Sequence, residues 1–109
     1  MAETLKVLGQ LAAAATTAET LYTVPGATTA VVSSIVVCNR GATATTFRIS
    51  IRVAGAGADN KQYLYYDTII PANDTFVATL GISLGAADVI TTYAGAAQVT
   101  FQAFGEEIT

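Results

Sequence analysis

The stretch TTFRISIRV, residues 45–53, alternates apolar and polar side chains along its length. Phe47 and Ile49 fall on one face, and Arg48 and Arg52 fall on the other. A period of two in β-branched and aromatic residues is typical of a strand that lays one face on a hydrophobic core. The stretch therefore predicts a half-buried β-strand whose polar face carries arginine.

Similar segments fill most of the remaining chain, and turn residues such as Pro25–Gly26 and Pro71–Asp74 separate them. Short strands at spacings of roughly 8 to 12 residues indicate a sandwich or a small barrel. We therefore predict one all-β domain over residues 1–109, an antiparallel β-sandwich of about eight strands with a jelly-roll-like arrangement. The other predicted strands lie in residues 5–11, 20–24, 29–40, 61–70, 74–84, 88–94 and 98–108.

Residues 29–40, TAVVSSIVVCNR, form the most uniformly apolar of these segments. Because both of its faces are apolar, the strand is predicted to be covered on both sides. The core would cover one side, and a neighbouring subunit or a second layer of the domain would cover the other. We interpret Cys38, near the end of this strand, as a buried core residue and not as a nucleophile, since the chain has no histidine to act as its base.

The alanine-rich segment Leu11–Tyr22 is the one part of the chain that competes with an all-β interpretation. A helix of about three turns is an alternative there. However, Thr16 and Thr17 interrupt the segment, and its apolar stripe consists of small side chains. An irregular connection between the first two strands is therefore predicted.

The composition favours assembly over a solitary, highly soluble monomer. Hydrophobic residues make up 52% of the chain and charged residues 12%, about half the usual charged share. Alanine and threonine are abundant, so small and weakly polar side chains cover much of the surface. Such a surface is suited to contact with copies of the same chain or with a partner.

Several functional classes are excluded by what the chain lacks. The chain has only five basic residues and a net charge of −3, so it lacks the cluster of basic side chains that binding to a phosphate backbone requires. Without histidine there is no Ser-His-Asp triad and no zinc site built on imidazole, and one cysteine cannot form an internal disulfide. No apolar run has the length of a membrane helix, and the start of the sequence lacks the apolar core of a signal peptide. We therefore expect no enzyme activity, no catalytic or metal site, no cofactor, and neither nucleic acid nor membrane as a partner.

Five residues are candidates for an interface. Arg48 and Arg52 are four residues apart in the predicted strand, so they point the same way at a separation of about 13 Å. With Arg40 nearby, they form a candidate positive strip that would dock onto an acidic partner. The alternative is pairing with acidic residues of the same sheet. Tyr63 and Tyr65 are predicted to share a face and to line the core and a subunit contact, with a platform for a ligand as the alternative.

Four segments of the chain carry a resemblance to a known group of proteins. They are LGQLAAAATTAETLYTVP, residues 8–25; VVSSIVVCNRGATATTFRISIR, residues 31–52; YLYYDTIIPANDTF, residues 63–76; and VTFQAFGEEIT, residues 99–109. Taken in order, they resemble small β-rich structural proteins encoded by tailed bacteriophages. The block from the apolar strand through CNRG to TFRI is the most distinctive part.

The resemblance implies a virion component that is made in the host cytoplasm. It implies a capsid decoration or cement protein that forms a jelly-roll homotrimer and contacts the major capsid protein or another virion protein. Tail, neck or fibre-associated subunits of similar size are the alternative. A carbohydrate-binding module is a further alternative, because the sandwich fold also hosts lectins. The absence of tryptophan argues against such a module.

Overall fold

Two four-stranded antiparallel sheets pack together in a computed structural model of the chain, which describes residues 2–109. Each of the predicted strand segments overlaps one observed strand, so the predicted antiparallel β-sandwich is confirmed. The strands are β1 Glu3–Ala12, β2 Glu19–Thr23, β3 Thr29–Asn39, β4 Thr45–Arg52, β5 Tyr63–Ile70, β6 Thr75–Leu84, β7 Val89–Ala94 and β8 Val99–Ile108.

Helical structure within residues 2–109 is limited to two one-turn 3-10 helices, Val53–Gly55 and Asn60–Gln62. No helix in this range is long and apolar enough to cross a membrane. The alanine-rich segment between β1 and β2 is an irregular connection, as predicted, and Ala15 within it forms an isolated bridge with Ala94 of β7.

The first sheet has the strand order β1-β8-β3-β6, and the second has the order β2-β7-β4-β5. Four of the pairs, β1 with β8, β2 with β7, β3 with β6 and β4 with β5, join strands whose numbers add up to nine. The chain is therefore one long antiparallel ribbon, closed at the β4–β5 connection. Two further pairs, β3 with β8 and β4 with β7, fold the ribbon over on itself. This is the predicted jelly-roll arrangement.

The inner faces of both sheets contribute to one hydrophobic core. Phe47 of β4 is fully buried in it, and its ring lies near three other rings. The centroid distances are 6.1 Å to Tyr65, 5.3 Å to Phe76 and 6.3 Å to Phe101. Since these rings come from both sheets, the apolar face of β4 joins the two layers, as its alternation predicted. Other fully buried side chains in the core are Val32, Ile35, Val37, Ile49, Ile90 and Val99.

The interpretation of Cys38 as a core residue is wrong, because its side chain is half-buried on the outer face of the first sheet. It lies opposite Thr75 of β6 and Thr100 of β8, which are also outside the core. The alternate positions of the same strand, Ile35 and Val37, fill the core. The outer face of β3 is apolar although the other sheet packs only against its inner face. A second layer of the domain therefore does not explain that apolar character.

Bulges interrupt the predicted alternation in β3 and β5. In β3 the register with β8 shifts between Val32 and Ser34, so that Val32 joins Ile35 on the core side. In β5 the register with β4 shifts twice. As a result Tyr63 lies on the outer face of the second sheet, whereas Tyr65 packs against the core. The prediction that these two tyrosines share a face is therefore wrong.

Asn39, at the end of β3, is a buried polar residue that links two connections of the chain, the one between β3 and β4 and the one between β5 and β6. Its side chain is 1% exposed. The Nδ2 group donates hydrogen bonds to the carbonyl oxygen of Thr43 at 2.9 Å and to that of Pro71 at 3.0 Å. The Oδ1 atom accepts a hydrogen bond from the backbone N–H of Gly41 at 2.9 Å. The amide therefore satisfies backbone groups that would otherwise be buried without partners.

A polar network links the two sheets at the opposite end of β3. The Tyr22 hydroxyl of β2 donates to a Glu107 carboxylate oxygen of β8 at 2.6 Å, and Lys6 of β1 donates to the other oxygen at 3.1 Å. The hydrogen bonds from Tyr22 and Lys6 lower the pKa of Glu107 below its usual range. The network thus stabilises the fold while the carboxylate is ionised, and this contribution is lost as the pH falls through the lowered pKa.

Candidate functional sites

The outer face of the first sheet carries apolar and uncharged polar side chains and is nearly free of charge. Directly opposed residues of an antiparallel pair point to the same face, so the registers define rows across this surface. We call the surface made of four such rows the apolar face; Glu106 is its charged residue. In the order β1, β8, β3, β6 the rows are Leu5, Glu106, Val31, Ser83; Val7, Phe104, Ser34, Thr79; Gln10, Gln102, Val36, Val77; and Ala12, Thr100, Cys38, Thr75.

The apolar face exposes several large apolar side chains. Leu5 is 81% exposed, Val77 is 55% exposed and Val7 is 47% exposed. Strands of 10 residues and four strands per sheet give a face of about 33 Å by about 19 Å, or roughly 600 Å². Each partner in a standard protein interface contributes about 800 Å². An almost uncharged face of this size with exposed apolar side chains is a candidate contact surface.

The outer face of the second sheet differs, because it carries charges and a concave site of about 350 Å³. We call this site the arginine cavity. Its floor comes from β4 and β7, and its walls come from β2 and from the segment between β4 and β5. The residues that define it are Thr20, Arg48, Ser50, Arg52, Tyr63 and Thr91.

Arg48 is held in place by an acidic residue and two aromatic rings. Its Nε and Nη2 atoms donate to the two carboxylate oxygens of Asp67 at 2.7 and 3.3 Å. Its guanidinium carbon lies 4.2 Å from the ring centroid of Tyr66 and 4.3 Å from that of Tyr93. Hydrogen bonding to Asp67 raises the pKa of Arg48 above its usual value. The guanidinium is therefore a fixed positive charge, stacked between two rings.

Arg52 fixes the wall of the cavity. Its Nε atom donates to the Thr91 hydroxyl at 3.0 Å, and its Nη1 atom donates to the carbonyl oxygens of Gly55 and Ala56 at 3.1 and 3.0 Å. Gln62 is buried and closes the same segment, because its Nε2 atom donates to the Gly57 carbonyl at 2.8 Å. These bonds hold residues 53–62 against the sheet, so the cavity is formed before any ligand arrives.

The structure brings together three of the five candidate interface residues. Arg48, Arg52 and Tyr63 line the arginine cavity, and the pairing of Arg48 with Asp67 is the own-sheet alternative considered for that arginine. Arg40 lies outside the cavity, where its Nη2 atom is 3.4 Å from the Ala97 carbonyl.

Sequence reasoning missed the two rings that hold Arg48 and the role of Asn39. Tyr93 is 45 residues from Arg48 in sequence and becomes its neighbour through the pairing of β7 with β4. Tyr66 reaches the same side chain because of the bulges in β5. The only local signal for Asn39 is an Asn two residues before a Gly, a pattern that turns also show.

The comparisons with protein-family models and with curated proteins found no relative of this chain. No protein-family model matches the chain, and the search of curated proteins found no matching sequence. Within residues 2–109, no group of three or more Cys, Asp or Glu side chains is arranged to hold a metal ion. The apolar face and the arginine cavity are the two candidate functional sites of the chain.

Proposed function

We propose that this chain is a non-enzymatic bacteriophage virion protein, a capsid decoration or cement protein that forms a homotrimer and stabilises the head by binding its surface. The apolar face is the observation that carries the proposal. The resemblance of four segments to phage structural proteins and the jelly-roll strand order support it as well. A trimer would attach at several points, and multivalent attachment strengthens weak individual contacts.

Neighbouring copies of the same chain are the proposed occupants of the apolar face. A self-contact needs a surface without like charges, and Glu106 alone among the rows carries a charge. The roughly 600 Å² of this face approaches what one partner contributes to a stable interface. The charged outer face of the second sheet would be left to other contacts, which gives each subunit two chemically different sides.

Val77→Lys is expected to convert the trimer into monomers. Val77 is 55% exposed and its row contains no charge, so the change leaves the core untouched while it places an unpaired charge in the proposed subunit contact. Light scattering coupled to size exclusion should give three times the chain mass of 11.2 kDa for the wild type and one times that mass for the variant. Circular dichroism should show the same fold for both.

Ile69→Lys is the matched control for this experiment. Ile69 is 70% exposed on β5 of the second sheet, so it is a comparable apolar side chain outside the apolar face. The trimer should survive this change. A wild type that is monomeric at micromolar concentration, or a trimer that both variants disrupt equally, would contradict the proposed contact.

Immunogold labelling of intact virions determines where on the virion the protein lies. Gold-conjugated antibodies against the chain are expected to cover the whole head surface, because a cement protein binds at every equivalent capsid position. Label at one vertex, or along the tail or its fibres, would replace the cement role with the tail, neck or fibre alternative. Virions without any label would exclude a virion role altogether.

A further inference from the structure

We propose that the arginine cavity binds a sugar that carries a carboxylate group, such as a uronic acid residue of a polysaccharide. The site does not depend on the proposed assembly, because it lies on the sheet opposite to the apolar face. It would give the protein a ligand that its structural role does not require.

Each of the two arginines of the cavity has one terminal nitrogen that forms no hydrogen bond with a described residue. Arg48 uses Nε and Nη2 for Asp67, which leaves Nη1 without a partner in residues 2–109. Arg52 uses Nε and Nη1 for Thr91 and the adjacent segment, which leaves Nη2 in the same situation. Each guanidinium is held in place and keeps a terminal nitrogen, so either one can donate a hydrogen bond to a ligand carboxylate without being ordered by binding.

The remaining lining fits the hydroxyl groups of a sugar. Thr20, Ser50 and Tyr63 contribute side-chain hydroxyls to the lining of the cavity. Glu19 also lines the cavity; one of its carboxylate oxygens accepts from the Ala14 N–H at 2.8 Å, and the other is free to accept from a sugar hydroxyl. The tyrosine ring offers an apolar surface beside these polar groups.

The shape of the site favours a sugar over an acidic peptide segment. The cavity of about 350 Å³ lies at the lower end of the size range for small-molecule sites. Its floor is formed by β4 and β7, which are the inner strands of the second sheet. An extended peptide that adds a strand needs a free sheet edge, and these two strands have none.

Titration of the 15N-labelled full chain with sodium glucuronate tests the proposal. We expect saturable chemical-shift changes in the amide NMR signals of Ser50, Thr91 and Arg48. Glucose should bind about tenfold more weakly, because it lacks the carboxylate. Arg48→Gln should weaken glucuronate binding about tenfold. Arg40→Gln removes the same charge outside the cavity and should change the affinity by less than about twofold.

Each other outcome overturns the proposal. No saturable shift with glucuronate, or an equal loss in the Arg40→Gln variant, would mean that the cavity is not a carboxylate site. Tighter binding of N-acetylglutamate amide than of glucuronate would assign the site to an acidic peptide. If Arg48→Gln fails to fold, Thr20→Phe serves instead, since it blocks the cavity from an exposed position, and unchanged binding in that variant would refute the site. The oligomer mass measured on the same sample separates this result from the assembly proposal.

Discussion

Phe47→Ala is expected to lower the free energy of unfolding by about 3–5 kcal/mol, the usual cost of emptying a buried phenylalanine site. The Phe47 ring is fully buried between rings of both sheets, so its removal leaves a cavity that the flanking strands cannot close. A loss of this size is a large part of the stability of a domain of 109 residues. Urea denaturation followed by circular dichroism, at one fixed protein concentration, measures it.

Ile69→Ala is the control for this core substitution. The Ile69 side chain is 70% exposed on the outer side of the edge strand β5, and its truncation should change the free energy of unfolding by less than about 0.5 kcal/mol. A cost of Phe47→Ala below about 1 kcal/mol would show that the two sheets do not pack through this aromatic cluster.

Asn39→Asp is expected to cost about 3 kcal/mol at neutral pH, although the two side chains have nearly the same shape. The Nδ2 donor becomes an oxygen that faces the carbonyl oxygens of Thr43 and Pro71. A buried negative charge among acceptors is disfavoured, so the pKa of the introduced carboxyl should rise above the usual value of about 3.9. In this case the folded state binds more protons than the unfolded state between the two pKa values.

The pH dependence gives this prediction its sharpest test. Because the folded pKa is raised, the deficit of the variant should shrink as the pH falls from 7 towards 4. Thermal denaturation of wild type and variant across this range measures the difference. Asn60→Asp is the control at an exposed asparagine and should show little difference from wild type. A deficit of Asn39→Asp that is constant with pH would contradict the proposed arrangement.

Local sequence patterns were sufficient to predict the strands and the fold class. Alternation in β4 identified its core face correctly, because each strand has one buried face and one free face. The turn residues marked the ends of the strands, and the number of strands then favoured a jelly roll. Even the alanine-rich connection was assigned correctly, since interrupting threonines and small side chains leave a helix with little to bury.

The errors arose where strands depart from strict alternation and where an apolar residue lies on the outer face of a strand. Tyr63 and Tyr65 were placed on one face because the bulges in β5 leave no clear sequence signal. Cys38 was placed in the core because an apolar residue in an apolar strand looks buried from sequence alone. The arginine cavity could not be predicted, since it depends on the pairing of β4 with β7 and on the fold of residues 53–62.

The pairing of strands whose numbers add up to nine also has a consequence for folding. The sequence separation between partners is smallest for β4 with β5 and largest for β1 with β8, so the entropy cost of closing a pair in the unfolded chain increases outwards. The outermost pair brings Leu5 and Val7 beside Phe104. A chain in which this pair is still open lacks a complete apolar face, so in the proposed trimer a subunit would become competent to associate only after β1 and β8 have paired.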